Sequence, residues 1–328
     1  MKEPQPLDFE KPIAELQRRL QEIRDHSDEH ALDFDAEVEA MEAKIETTRR
    51  EIYGNLSAWQ RVQIARHTQR PFALDYVERC FTNWNELHGD RLFGDDKAMP
   101  CGIAMLGDQR CIVITNQMGR NTKENVMRNF GCAHPEGYRK ALRLMQLGEK
   151  FNLPVISLID TPGAYPGIGS EERHIAEAIA VNLREMMNLR VPVLAAVIGE
   201  GGSGGALGIG VADHVMILEN AYYSVISPEA CSAILWKDRR HAAEAAEALK
   251  LTGQDLMKLN VVDEIVAEPD GGAHRDHEKA AQILGEALRS NLKRLLKTPI
   301  NQLLKKRYEK FRRLGNFAEP PKGNGATG

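Results

Sequence analysis

Apolar residues in the first fifty or so positions recur at helical spacing, with Ile13, Leu16, Leu20 and Ile23 in one stripe and Phe34, Val38, Met41, Ile45 and Ile52 in a second. Stripes with steps of three and four lie on one face of a helix, so each run predicts an amphipathic helix with a single buried side. The polar stretch HSDEHALD (26–33) between them predicts the link of an antiparallel hairpin whose expected role is packing, not chemistry. Ser57 and Gln60 stand at capping-box spacing, and the region up to about His88 reads as wholly helical.

The period changes at Cys101, where GIAMLGDQRCIVITNQ (102–117) predicts two strands around a Gly107-Asp108 turn. Helix 135–151, strand 155–160, helix 171–189 and strand 193–198 follow in alternation. The two strands, VISLID and VLAAVI, are almost unbroken apolar runs, as expected of strands covered on both faces. HVMILEN (214–220) and YYSVIS (222–227) predict further strands, and PEACSAILWKD (228–238) a helix capped by Ser227 with Pro228 first. One more helix and strand fit LMKLNVVDEIVAEP (256–269), and a long helix is predicted over 275–296. The basic tail KKRYEKFRR (305–313) reads as a solvated face, and PPKGNGATG (320–328) as frayed or disordered. These patterns divide the chain into a helical region 1–90, a core domain 91–297 and a tail 298–328.

Composition narrows the class. At 328 residues, 42% hydrophobic and 27% charged, the chain is long enough for one sizeable core with a smaller appendage. No run approaches the ~18 apolar residues of a membrane span, and the first thirty residues are charged throughout, so neither a span nor a secretory signal is expected and the cytoplasm is the expected compartment. The five cysteines (80, 101, 111, 132 and 231) never form a C-x-x-C pair, which predicts free thiols and no metal site. A net charge of -4 gives no footprint for nucleic acid.

Each central strand runs into glycine: TPGAYPGIG (161–169) after the first and GEGGSGGALGIG (199–210) after the second. Gly199, Gly201 and Gly204 fit the dinucleotide pattern G-x-G-x-x-G with Glu219 twenty residues on, but 206–213 leaves a helix of only about two turns, short for a crossover. Gly201, Ser203 and Gly205 fit the nucleophile pattern G-x-S-x-G, yet Ser203 stands five residues past Ile198 where an elbow wants one or two. Its partners would have to be Asp263 with His274 or His277, so Ser203 reads instead as a small loop residue or helix cap. Asp160 to Gly163 has the form D-x-x-G, without the phosphate loop that would give it meaning. What both loops share is backbone exposed by missing side chains, and amides at the ends of neighbouring strands can converge on one oxygen as an oxyanion hole.

IDTPGAYPGIGSEER (159–173) and VIGEGGSGGALGIG (197–210), with PEGYRKALRLMQ (135–146), YSVISPEACSAILWK (223–237), EPDGGAHR (268–275), LDFEKPIAELQ (7–17) and RPFALDYVERCF (70–81), resemble the alpha subunits of bacterial acetyl-coenzyme A carboxylase carboxyltransferases from about 7 to 315. The resemblance implies an α/β crotonase-like fold of repeated ββα units. It also implies transfer of a carboxyl group from carboxybiotin to acetyl-CoA, giving malonyl-CoA for fatty acid synthesis. The implied partners are a beta subunit in an α2β2 assembly, a biotin carboxyl carrier protein and a biotin carboxylase. In this family the beta subunit chiefly holds acetyl-CoA and a four-cysteine zinc ribbon, while the alpha subunit faces biotin. Carried over by position, the implied oxyanion hole consists of amides around Gly204, Gly205 and Ala206, assisted by the loop from Gly163 to Gly167, with Ala164, Tyr165, Gly201, Gly202 and Ser203 contacting substrate. Tyr165 is expected to wall the pocket or simply to pack; Arg120, Lys123 and Arg128 are expected on a solvated face, with contact to CoA phosphates or a partner's acidic groups as the alternative; NFAEPPKGNGATG (316–328) carries nothing over.

Overall fold

The computed structural model describes residues 6–30 and 34–315. Its eight strands are β1 (Thr82–Glu86), β2 (Cys101–Leu106), β3 (Gln109–Thr115), β4 (Val155–Thr161), β5 (Val193–Gly202), β6 (His214–Leu218), β7 (Tyr222–Ser224) and β8 (Glu264–Val266). They form one sheet in the order β1-β2-β3-β4-β5-β6-β8, with β7 pairing the far end of β5. The β1-β2-β3 edge is antiparallel and every later pairing is parallel. All residues of β4 and β5 are buried, and because side chains alternate, both faces of these strands must be covered. Helix Pro135–Lys150 packs on β2 and β3, and helix His277–Leu295 on β5 and β8.

Most predicted elements are present, and the departures have local causes. The segment TNWNE is strand β1, not helix: it lies on the sheet edge, where the Trp84 ring fills the space that a Gly102 Cβ would take, 2.8 Å away. Tertiary pairing outweighs the polar sequence there. The predicted helix 171–189 is broken into Ile168–Glu172 and Ile175–Asn188 by His174, which adopts φ 64°. The hairpin is present as Lys11–His30 and Asp35–Gly54, so the first helix consumes much of the expected link, whose residues 31–33 lie outside the described set. Ile13, Leu16 and Ile45 make its own small cluster, separate from the main core.

The basic tail departs furthest from expectation. It forms helix Ile300–Arg312, and although Lys305, Lys306, Arg312 and Arg313 are exposed, Arg307 is fully buried. Its guanidinium donates five bonds, two to the Asp213 carboxylate (2.8 and 2.7 Å) and three to the carbonyls of Met186, Leu189 and Val191, which accounts for every N–H it carries. Removing one side of such a pair strands a buried charge, at about 3–5 kcal/mol. The stretch 320–328, expected to be frayed, lies outside the described residues.

Candidate active site

β5 continues four residues beyond its apolar run because both of its edges are occupied. After a register shift past Ile159, Thr161 of β4 pairs with Gly201, and β7 pairs Glu200, Gly201 and Gly202 from the opposite side. Asp160 sits at the irregularity. Its Oδ1 accepts the Glu200 N–H at 2.9 Å and lies 2.4 Å from where a Gly199 Cβ would be. Burial pushes this carboxyl up to about 7, and the charge of Glu200 adds to the effect, although the Glu200 amide bond opposes it.

The longer strand revises the reading of Ser203. It follows β5 directly, at φ 51°, as the first residue of helix Ser203–Leu207 with Gly202 at the cap position, so it is not itself the cap and the five-residue gap closes. This is the turn a nucleophile elbow requires, but the base is missing. His277 Nε2 meets the Gln69 carbonyl, His274 stacks on His67, Asp263 is bonded by Lys310, and no described histidine lines the cleft beside Ser203.

The two glycine loops touch backbone to backbone. A Cβ on Gly202 would stand 2.1 Å from the Pro162 carbonyl oxygen, and one on Gly205 2.4 Å from the Gly163 carbonyl carbon and 2.5 Å from the Ala164 nitrogen. Only residues without side chains allow this approach. Beside the contact opens a cleft of about 860 Å³. Of the ten predicted site residues it brings together Gly163, Ala164, Tyr165, Ser203, Gly204 and Gly205, while Gly167, Gly201, Gly202 and Ala206 do not line it. Gly167 caps the next short helix and has the Tyr165 ring against it, and Ala206 is fully buried. Tyr165 stacks on His134 with ring centroids 4.4 Å apart, so it both packs and faces the cleft.

Amide accounting separates the loops. Gly163 N–H donates to Thr161 Oγ1 (3.1 Å) and Tyr165 N–H to the Ala133 carbonyl (3.0 Å). Among the described residues the N–H groups of Ala164, Gly204 and Gly205 have no protein acceptor. Gly205 is buried, and a buried amide without an acceptor is rare enough to need an explanation.

Three charged groups on the cleft wall, Arg66, Glu229 and Arg239, carried no signal in the sequence. Arg66, just past helix Ala58–Ala65, holds Glu200 at 2.7 Å and Glu229 at 2.5 Å and also bonds the Tyr222 hydroxyl. Arg239 lines the cleft, exposed and with no ion pair among the described residues. Ile175, Ile179 and Val225 supply the apolar side. Arg120 and Arg128 lie elsewhere, Arg120 bonded to Asp75 and Arg128 to the Lys97 carbonyl.

A family model described as acetyl co-enzyme A carboxylase carboxyltransferase-like matches residues 6–315. The acetyl-coenzyme A carboxylase carboxyl transferase subunit alpha of Geobacter metallireducens is 56% identical over 95% of this chain and 98% of its own length. That of Thermus thermophilus is 52% identical over 96% of this chain and all of its own. Among solved structures, transcarboxylase 12S with methylmalonyl-coenzyme A bound superposes with TM-score 0.53 at 16% identity, covering 78% of this chain and 44% of that one. A Pseudomonas malonate decarboxylase hetero-tetramer with coenzyme A gives 0.54 at 15%, covering 66% and 86%. At such identities the likeness shows the fold alone, and it bears out the expected crotonase-like α/β architecture.

Proposed function

Because the chain belongs to the acetyl co-enzyme A carboxylase carboxyltransferase-like family, we propose that it is the half of a carboxyltransferase that receives carboxybiotin, with the uncommitted amides of the two glycine loops directed at the biotin ureido oxygen. The reaction gives malonyl-CoA from acetyl-CoA, and carboxybiotin supplies the carboxyl group. The observation that carries this reading is the contact of Gly205 with Gly163 and Ala164, which puts amides without acceptors from two strand ends beside one cleft. Amides fixed by a sheet do not need to reorganise as charge develops, and each such donor is worth roughly 10² to 10³ in rate. Gly163, Gly167 and Ala206 would act by holding these loops in place. Ile175 and Ile179 would keep water off the ring, and Arg239, which has no ion pair among the described residues, would attract a carboxylate.

The remaining parts of the reading follow the same family. A beta subunit completes the site in an α2β2 assembly and holds acetyl-CoA; a biotin carboxyl carrier protein delivers the ring, and a biotin carboxylase charges it. Val225, which lines the cleft and is 76% exposed, supports a partner surface there. No helix among the described residues is long and apolar enough to cross a membrane, in keeping with work in the cytoplasm.

Reconstitution tests the proposal. Malonyl-CoA-dependent carboxylation of free biotin is measured with this chain, with a beta subunit, and with the two mixed; turnover is expected only in the mixture. Biotin carboxylation by the isolated chain would point to a self-sufficient carboxyltransferase, breakdown of malonyl-CoA to acetyl-CoA and CO2 by the isolated chain without biotin carboxylation to an acyl-CoA decarboxylase, and no turnover in the mixture would contradict the assignment.

A further inference from the structure

We propose that Glu10, His67 and His274 form a divalent-cation site, suited to zinc, that ties the start of the chain to the body of the protein. The three residues come from distant segments: Glu10 ends the turn Asp8–Glu10, His67 follows helix Ala58–Ala65, and His274 precedes helix His277–Leu295. Their ligating atoms all lie within 4.8 Å of one another, and Glu10 Oε1 is 3.6 Å from His274 Nε2. Ligands of a tetrahedral zinc with bonds of ~2.0–2.1 Å stand about 3.3 Å apart, so Glu10 and His274 are already near that spacing and His67 has to close by at most about 1.5 Å.

The second observation is the state of His274. Its side chain is 1% exposed, yet neither ring nitrogen has a hydrogen-bond partner, whereas buried imidazoles ordinarily satisfy theirs. His67 stacks on it at 4.2 Å between centroids and is half-buried, which leaves an entry path from solvent. The His67 Nδ1 accepts the Gln69 amide at 3.2 Å; binding a metal through Nε2 moves the ring proton to Nδ1 and gives up that long bond.

Glu10 accepts from the Leu7 amide through Oε2 at 2.9 Å, and from the Tyr53 hydroxyl and Arg275 through Oε1, each at 2.8 Å. Two imidazoles and one carboxylate, with a fourth position for water, make a zinc donor set. Two groups compete for Glu10 Oε1, Arg275 Nη2 and the Tyr53 hydroxyl, each at 2.8 Å; Arg275 is partly exposed and able to swing aside. The expectation of no metal rested on cysteine spacing, to which ligands from three separate segments are invisible.

The test uses the full chain without a histidine tag, stripped by a chelator and titrated with Zn²⁺ against a chromogenic indicator. One equivalent should bind, raising the thermal midpoint. His274→Ala and His67→Ala should each weaken binding at least tenfold and abolish the midpoint rise. Arg275→Gln, which retains all three ligands, should tighten binding severalfold. Should the histidine variants fail to fold, Arg275→Gln decides: unchanged or weaker affinity overturns the proposal. So does an absence of binding, equal binding in the histidine variants, or binding that disappears when the thiols are blocked.

Discussion

The loops after β4 and β5 are both glycine-rich, but they are held in different ways. The first is tied by side-chain and main-chain bonds: Thr161 Oγ1 is 2.8 Å from the carbonyls of Gly131 and Gly163 and accepts the Gly163 amide, and Tyr165 N–H is bonded to Ala133. The second is held by close packing, since Cβ atoms at Gly199, Gly201, Gly202 and Gly205 would each come within 2.9 Å of another group. The first loop spends the Gly163 and Tyr165 amides on its own shape and leaves that of Ala164 free, and the second leaves those of both Gly204 and Gly205 free. This division makes the first loop chiefly a frame and the second the main source of donors, and substitutions in the two should fail for different reasons.

The largest effect is expected at the point of contact. Gly205→Ala places a methyl group inside the backbone of the first loop, which must move; overpacking of this kind costs about 1–3 kcal/mol in stability. Displacing the donors should lower carboxyl transfer by roughly 10³, as steady-state kinetics of the assembled complex would show. An active variant would mean that the contact is dispensable.

Asp160 joins the bases of the two loops, and it makes stability depend on pH. In the folded chain it keeps its proton up to about 7, whereas an unfolded aspartate releases it near 3.9, so the folded state binds the extra proton between those values. Its contribution is full below about 4 and is lost as pH rises through 7. Urea midpoints of the wild type and Asp160→Asn between pH 5 and pH 8 should therefore diverge, the wild type losing on the order of 2–3 kcal/mol relative to the variant. Parallel curves would show that the carboxyl is ionised throughout.

Smaller effects follow from the frame. Thr161→Val removes the anchor of the first loop and should cost about 1–2 kcal/mol, measured by denaturation, with only a severalfold loss of turnover because the donors of the second loop remain. Tyr222→Phe leaves Arg66 paired with Glu200 and Glu229 and should change stability by about 0.5–1 kcal/mol. A larger effect of Tyr222→Phe on turnover than of Thr161→Val would reverse the comparison.

The sequence made the parallel core legible because fully covered strands demand apolar runs, and it marked both loops because close backbone approach demands glycine. It did not show where β5 ends, since glycines in a strand resemble glycines in a loop until their pairing with Thr161 and Tyr223 is seen. β1 was hidden by its polar residues, and buried Arg307 by the exposed lysines and arginines around it. Arg66 and Arg239 reach the cleft only through long-range packing, which no local pattern encodes.

The most direct test of the cleft is Gly204→Val. Gly204 lines it, and an added Cβ would meet nothing nearer than Ile179 at 3.7 Å, so the side chain should occupy the cleft without disturbing the fold. Carboxyl transfer by the assembled complex should fall at least ~100-fold, with the melting midpoint and subunit assembly unchanged. Near-normal turnover in that folded, assembled variant would contradict the account.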